Sequence, residues 1–457
     1  MGISKQKTAM TDERLGTEPI GSLMLKMGMP AVAAQVINLL YNIIDRIYIG
    51  HIKEVGATAL TGIGLSIPVV VLLAAFASLV GGGGAPLASI SLGRGERGRA
   101  EKIVGNSLTL ICGLAVVLFL VFYAVKEPLL YAIGASNETF VYANDYLKIY
   151  LCGTLFTMIT VGMNGYISAQ GRAGIAMLST LIGAVLNIGL DPLFIFGLNM
   201  GVKGAALATV LSQGVSACWI VGFLASKHAT LRITRGGLVP DRTVIGQMLA
   251  LGIAPFVMTA TESFISIVMN SGLQKYGGDL YVGALTVAQS VMQLMTVPIN
   301  GFGQGATPVI SYNFGAGNVE RVKEAFRKLF IILMSYSTGF AAIVMLFPKP
   351  FTSMFTDDAE LVELSTKVVP VFVAGMLIFG IQRACQTTFL ALGQARTSTF
   401  IALLRKVILL IPLALILPHF LGVMGIYMAE PIADATAALT CGTIFLIRFP
   451  KILKNVG

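Results

Sequence analysis

Charge is what this chain mostly does without. Only 12% of its 457 residues are Asp, Glu, Lys or Arg, against 55% hydrophobic, and its mean hydropathy is +0.82. A soluble domain carries about 25% charged residues, and this much apolar surface cannot be hidden inside a soluble protein of such length. Tryptophan occurs once, histidine three times and cysteine five times. His51, His228 and His419 are scattered, which argues against a metal site. Cys112, Cys152, Cys218, Cys385 and Cys441 sit in apolar stretches at spacings that suit neither a metal nor a disulfide framework. They are expected to be buried free thiols. No G-x-x-x-x-G-K-[ST] phosphate loop, H-E-x-x-H or G-x-S-x-G motif occurs. P-loop ATP hydrolysis is thereby excluded, an enzyme is unsupported, and no cofactor is expected. The net charge of +10 is a matter of placement rather than a nucleic-acid signal. The polar start, "MGISKQKTAMTDERLGTEPIG", has no signal-peptide core, so the chain is expected to stay in the membrane that receives it.

What is present is a series of long apolar runs. A spanning helix needs about 20 mostly apolar residues. Twelve such runs are read, at 20–49, 58–90, 103–125, 140–168, 174–197, 203–226, 246–272, 281–312, 326–347, 366–392, 398–418 and 422–447. The fold class is thus all-α, a polytopic membrane protein with twelve transmembrane helices. With the N-terminus inside, 21 Lys and Arg fall on cytoplasmic segments and 8 on outer ones, leaving Arg383, Arg405 and Lys406 within helices. Positive residues collect on the cytoplasmic side, so both termini are expected there, in the cytoplasmic membrane.

The chain also repeats itself. "GGAPLASISLGRGERGRAEK" resembles "GATPVISYNFGAGNVERVKE", and "AQGRA" meets "ALGQA" at the same 222-residue offset. Two six-helix lobes follow, 1–225 and 244–457, joined by the basic linker 226–243. Six is even, so the lobes share one orientation about an axis along the membrane normal. The "GGGG" run at 81–84 reads as close helix packing or a flexible break.

Intramembrane ionisable groups are functional candidates by default. Asp45, in "LLYNIIDRIYIG", and Asp191, in "LNIGLDPLFIFG", fall at one outer depth with Thr209. Asn187 shares a helix face with Asp191, as Tyr41 does with Asp45. Neighbouring carboxylates do not ionise independently, so such a pair can hold and exchange one proton. The plainer readings are pairing of Asp45 with Arg46 and a helix-ending Asp-Pro turn at Asp191 and Pro192. Glu262 falls mid-helix, facing either cargo or a partner such as Arg383. Glu430 and Asp434, i and i+4, have Arg383, Arg405 and Lys406 as available partners, and salt-bridging among these is at least as well supported as transport. Met258, Met269, Met292 and Met295 suit a promiscuous cavity or plain packing. At least five buried acids against three buried bases favour cationic or zwitterionic cargo.

Taken together, the 6+6 plan, the repeated Gly-Ala-Pro and Gly-Ala-Thr-Pro segments, "YNIIDRIYIG", "NGYISAQG" and "LNIGLDPLF" resemble the multidrug and toxic compound extrusion (MATE) transporters. The resemblance covers nearly the whole chain and is closest to the prokaryotic DinF-like branch with its MepA-type exporters. It implies a multidrug antiporter that exports organic cations against H⁺ or Na⁺. It also implies an ion-coupling cluster at Tyr41, Asp45, Asn164, Asn187, Asp191 and Thr209, with Asp45 and Asp191 as ligands if the ion is Na⁺. Glu262 matches an acidic residue used by other branches. The chain departs from those branches in "FGIQRACQ", where Gln382 and Arg383 stand and no carboxylate does, so coupling is assigned to the amino-terminal half. Glu262, Asn38 and Gln382 are the expected cargo contacts, and a bend of the first helix at Pro30 or near Asn38 is the expected motion. The partners are a small organic cation and the bilayer, with no nucleic acid, and the expected state is a monomer. The alternative is a lipid-linked precursor flippase, which would favour a cationic cavity.

Overall fold

The computed structural model describes residues 14–52, 55–356 and 358–454; Lys5, Lys7 and Lys53, counted in the topology above, lie outside them. The described chain is helical. Its main helices are α1 (Ile20–Gly50), α2 (Gly56–Gly93), α3 (Arg97–Ile133), α4 (Asn137–Cys152), α5 (Thr154–Ala169), α6 (Ala173–Pro192), α7 (Val202–Ala225), α8 (Arg242–Gly277), α9 (Asp279–Gly315), α10 (Val319–Leu346), α11 (Ala359–Val373), α12 (Met376–Ala391), α13 (Ala395–Leu403) and α14 (Val423–Lys454). Beyond α13 the chain stays helical to Leu421, through a π-helical stretch at Leu404–Leu410. Ten described helices are long and apolar enough to cross a membrane. The pairs α4–α5 and α11–α12, bent by 60° and 41°, bring the number to twelve if each is one span, as the sequence predicts. Pro30 lies inside α1, which is helical throughout. Of the cysteines, Cys385 and Cys441 are buried, but Cys152 and Cys218 are exposed. This corrects the expectation of burial: in a bilayer an apolar face points outward at no cost.

The repeat is visible in space. The bends fall at Gly153 and Gly375, 222 residues apart. A side chain at Gly153 would strike Val210, and one at Gly375 would strike Pro431. Gly95 and Gly317 both hold φ 75°, and Gly171 and Gly393 hold φ 80° and 70°, a left-handed backbone that suits glycine. Reciprocal contacts join the halves. A methyl on Gly93 would overlap the Tyr312 carbonyl, and one on Gly315 the Ile90 carbonyl. Residue i meets j while their repeat equivalents meet in reverse, which is the mark of a twofold relation. The Ser89 hydroxyl donates to Pro308 O across the same seam (3.2 Å). The seam lies beside the segment that leads into α1, where Asn313 donates to Leu15 O (2.9 Å). The glycines at 81–84 sit within unbroken α2. Gly81 approaches Gly162 of α5, Gly84 approaches Tyr166, and Gly83 approaches Met248 of α8. Of the two readings of that run, close packing holds.

Two hydrophobic cores result, and they are not cut at one place in sequence. One gathers α9–α14 but also Ile20, Leu23, Met24 and Met27 from the start of α1 and Leu15 just before it. The other gathers α2–α7 together with Val244 and Met248 from the start of α8. The first turns of α1 and α8 are thus exchanged between cores. Polar pins fix both exchanged turns. Arg321 donates to Leu15 O and Glu18 O (3.2 and 2.7 Å). Asn106, fully buried, donates to Gly237 O and Val239 O (2.9 and 3.1 Å) and accepts from the Asp241 amide (2.6 Å). Asp241 also caps α8 through the Thr243 and Val244 amides and pairs with Lys102 at 2.5 Å. The Lys102 ammonium, and then those amides, hold its carboxyl below the usual carboxylate range.

Candidate functional site

The cavity lies at the junction of the halves. It holds ≈ 700 Å³ and is lined by α1, α2, α5, α6, α7, α8, α9 and α12, with Ser398 of α13. Glycine and alanine on these helices leave the room, and amides and hydroxyls line it.

On the α1–α6 side the carboxyl groups of Asp45 and Asp191 are neighbours, close enough to interact electrostatically. Asp191 is fully buried. Asn187, one turn back along α6, donates to Asp191 Oδ1 (3.2 Å) and to Thr209 Oγ1 of α7 (3.4 Å). Asp45 Oδ1, Asp191 Oδ2 and Asn187 Oδ1 are buried without a hydrogen-bond partner. Native interiors rarely leave such atoms bare. Two neighbouring buried carboxyls disfavour double ionisation, and their unpartnered oxygens are free acceptors. Pro192 closes the α-helical stretch directly after Asp191, and a π-helical turn, Leu193–Gly197, follows. Proline cannot donate to the helix ladder, so Asp191 stands where the helix changes its winding, a frequent setting for functional residues.

The predicted cluster is only partly assembled here. Tyr41, Asp45, Asn187, Asp191 and Thr209 come together. Tyr41 and Asp45 sit one turn apart, and Tyr41 lines the cavity. Asn164 also lines it but is held elsewhere: it donates to Ala176 O (3.2 Å) and accepts from Ser179 Oγ (2.9 Å). Two residues escaped the sequence reading. Tyr146 of α4 lies near Asp45, Tyr41 and Thr209, and Tyr150 stacks on it at 5.8 Å. Their i, i+4 spacing was the available signal.

The second half supplies different chemistry. Glu262 of α8 and Arg383 of α12 both line the cavity, within electrostatic reach of each other, yet no ion pair within 4 Å joins them among the described residues. Arg383 Nη2 donates instead to Asn300 Oδ1 (2.7 Å). Gln382, expected in the cavity, does not line it and is 1% exposed. One residue along a helix is a rotation of about 100°, so the cavity takes Arg383 and the bundle interior takes Gln382. Asn38 lines the cavity as expected, and Met258 lines it and accepts from Gln386 Nε2 (3.2 Å). Met269 and Met295 are core residues. Behind the cavity, Arg405 donates to Asp434 (2.5 Å) and Glu430 (3.2 Å), all three nearly inaccessible, with its guanidinium 4.9 Å from the Phe379 ring centre. This is the salt-bridged arrangement.

The family model MatE matches over residues 30–193 and again over 255–416. The chain is 26% identical to the multidrug export protein MepA of Staphylococcus haemolyticus, over 94% of each chain. It is 26% identical to the protein of that name from Staphylococcus aureus, over 96% of this chain and 97% of the other. Among solved structures, it superposes on a multidrug resistance MATE family transporter of the MOP superfamily in an outward-facing conformation, with TM-score 0.89 and 24% identity over 96% of this chain and 98% of that one. A MATE in the bent conformation gives TM-score 0.90 at 24% identity, over 98% and 99%. With the matched segments covering most of the sequence, ten to twelve candidate spans among the described residues and a cavity between its two repeats, the chain belongs to the MATE family of multi-pass membrane transporters and is not an enzyme.

Proposed function

We propose that the protein is a secondary active antiporter that exports organic cations or drugs in exchange for H⁺ or Na⁺. The lobes are 1–225 and 244–457, joined by the linker 226–243, and both termini are cytoplasmic by the placement of Lys and Arg. The observation that carries the reading is the carboxyl pair Asp45–Asp191, with spare buried oxygens beside a cavity that also holds Glu262. The names of the staphylococcal relatives support drug export. In this reading Asp45 and Asp191 take the ion, with Tyr41, Asn187 and Thr209 as their polar shell and Asn164 supporting α6. Ion binding draws α1 and α6 together. α1, with Pro30 inside it, bends and narrows the cavity, and cargo leaves. A ligand moves a two-state equilibrium only by its differential affinity, and one proton or ion bound at the pair provides it.

The test is efflux from proteoliposomes of the full chain under a pure pH gradient, then under a pure Na⁺ gradient. One of the two should drive the wild type, and Asp45→Asn should abolish that coupling while the protein stays folded. Coupled transport at the wild-type rate in Asp45→Asn overturns the assignment.

A further inference from the structure

Arg383 is an unusual cation for a cavity expected to take cations. Its Nη2 is held by a neutral amide, Asn300, and its Nε is buried with no hydrogen-bond partner. Arg405, nearby in the same half, has two carboxylates to itself. Arg383 has none within 4 Å among the described residues. The cavity therefore contains a guanidinium that no carboxylate contacts directly among the described residues, Glu262 acting on it only at a distance. Glu262, also on the cavity wall and exposed, is an acceptor with no direct partner among the described residues. Beside Arg383, the Gln386 Oε1 atom is buried and unpartnered. A native fold leaves few polar atoms in this condition unless something else meets them.

The wall is poor in aromatic faces. Tyr41 is the one aromatic side chain among the described lining residues. Aromatic faces attract organic cations, and this wall, with a single aromatic ring, offers amides, hydroxyls and one charge of each sign. We propose that the cavity takes zwitterionic cargo, with the ammonium end toward Glu262 and the acidic end, carboxylate or phosphate, toward Arg383, which Asn300 positions. This rests on the reading of the cavity as the cargo site and narrows its substrate class. Arg383 acts as a specificity residue: a guanidinium gives a charge-assisted, directional hydrogen bond to an oxyanion.

A charge-matched probe series tests it. Nα-dansyl-lysine is a zwitterion, its methyl ester a cation and dansyl-6-aminohexanoate an anion. Binding to the purified full chain in detergent is read by dansyl anisotropy, with no gradient present. The wild type should bind the zwitterion about tenfold more tightly than the ester. Arg383→Gln should bring that ratio to about one without weakening ester binding, and Arg383→Lys should restore part of the preference. Glu262→Gln should weaken zwitterion and ester alike. A wild-type preference for the ester, or a ratio unchanged in Arg383→Gln, overturns the proposal. Should Arg383→Gln fail to fold, the wild-type ratio and Asn300→Ala, which only loosens the guanidinium, decide it. Selective binding without countertransport would defeat the antiporter reading and keep this one; coupled export of the ester with no charge preference would do the reverse.

Discussion

The two halves of the molecule fill one architectural position in opposite ways. From Gly201 and Gly422, which share nearly the same left-handed backbone, equivalent residues lie 221 apart. Thr209 and Gln213 of α7 then correspond to Glu430 and Asp434 of α14. On the preceding helix, where the offset is 222, Gly183 corresponds to Arg405. In the first half these positions are small or neutral and all three line the cavity. In the second they form a buried ion cluster behind it. One half keeps its carboxylates together with no ion pair within 4 Å among the described residues, Arg46 acting on Asp45 only at a distance, and leaves space. The other surrounds its carboxylates with a guanidinium and closes. On the proposed function, the difference separates a site from a prop: the first half's acids have no directly paired counter-ion and the second half's do.

If that contrast is right, the largest effect on folding belongs to Arg405→Ala. It strands Glu430 and Asp434 inside the bundle without their guanidinium. Removing one partner of a buried ion pair costs about 3–5 kcal/mol, to be read as lost thermal stability of the detergent-purified protein. Replacing Arg405, Glu430 and Asp434 together by apolar residues should recover most of that loss. A stable Arg405→Ala protein that has lost only transport would break the comparison, because the cluster would then be a second functional site.

A middle-sized effect tests the symmetry on which the comparison rests. Gly93→Ala and Gly315→Ala each push a methyl group into a carbonyl of the opposite half. Overpacking of this kind costs about 1–3 kcal/mol. Because the contacts are reciprocal, the two losses should agree closely in the same unfolding assay. A large cost for one and none for the other would mean that the seam is not a true twofold junction.

The sequence made the fold largely legible, and for a physical reason. Spanning helices need long apolar runs, and the fixed 222-residue offset at Pro86/Pro308 and Gly95/Gly317 marks a duplicated backbone geometry. The bends at Gly153 and Gly375 were hidden, because both pairs remain apolar across the break. The exchange of the first turns of α1 and α8 between cores was hidden too, since it depends on long-range packing that no local pattern encodes. At the site, i and i+4 spacing correctly grouped Asn187 with Asp191, and depth matching placed Asp45 and Thr209 beside them. Side-chain direction was the weak link. Gln382 and Arg383 are adjacent, and nothing local says which of them faces the cavity. Tyr146 and Tyr150 belong to the far side of the cluster, on a helix whose sequence carries no buried charge to draw attention.

The smallest change in stability should come from the carboxylate on which function depends most. Asp191→Asn and Asp434→Asn are the same isosteric substitution at two buried aspartates. Asp434 faces Arg405, so its amide leaves a guanidinium short of one partner. Asp191 faces Asp45 and accepts from Asn187, so its amide removes a like-charge conflict while one hydrogen bond must be rearranged. These effects oppose each other, and the net change should stay below about 1 kcal/mol. The transport readout should invert the order. Asp191→Asn should lose ion-driven efflux, and Asp434→Asn should keep it in proportion to the fraction folded. A strongly destabilised Asp191→Asn would mean that the pair already has its counter-charge within the protein, and the two halves would then differ in shape but not in electrostatic logic.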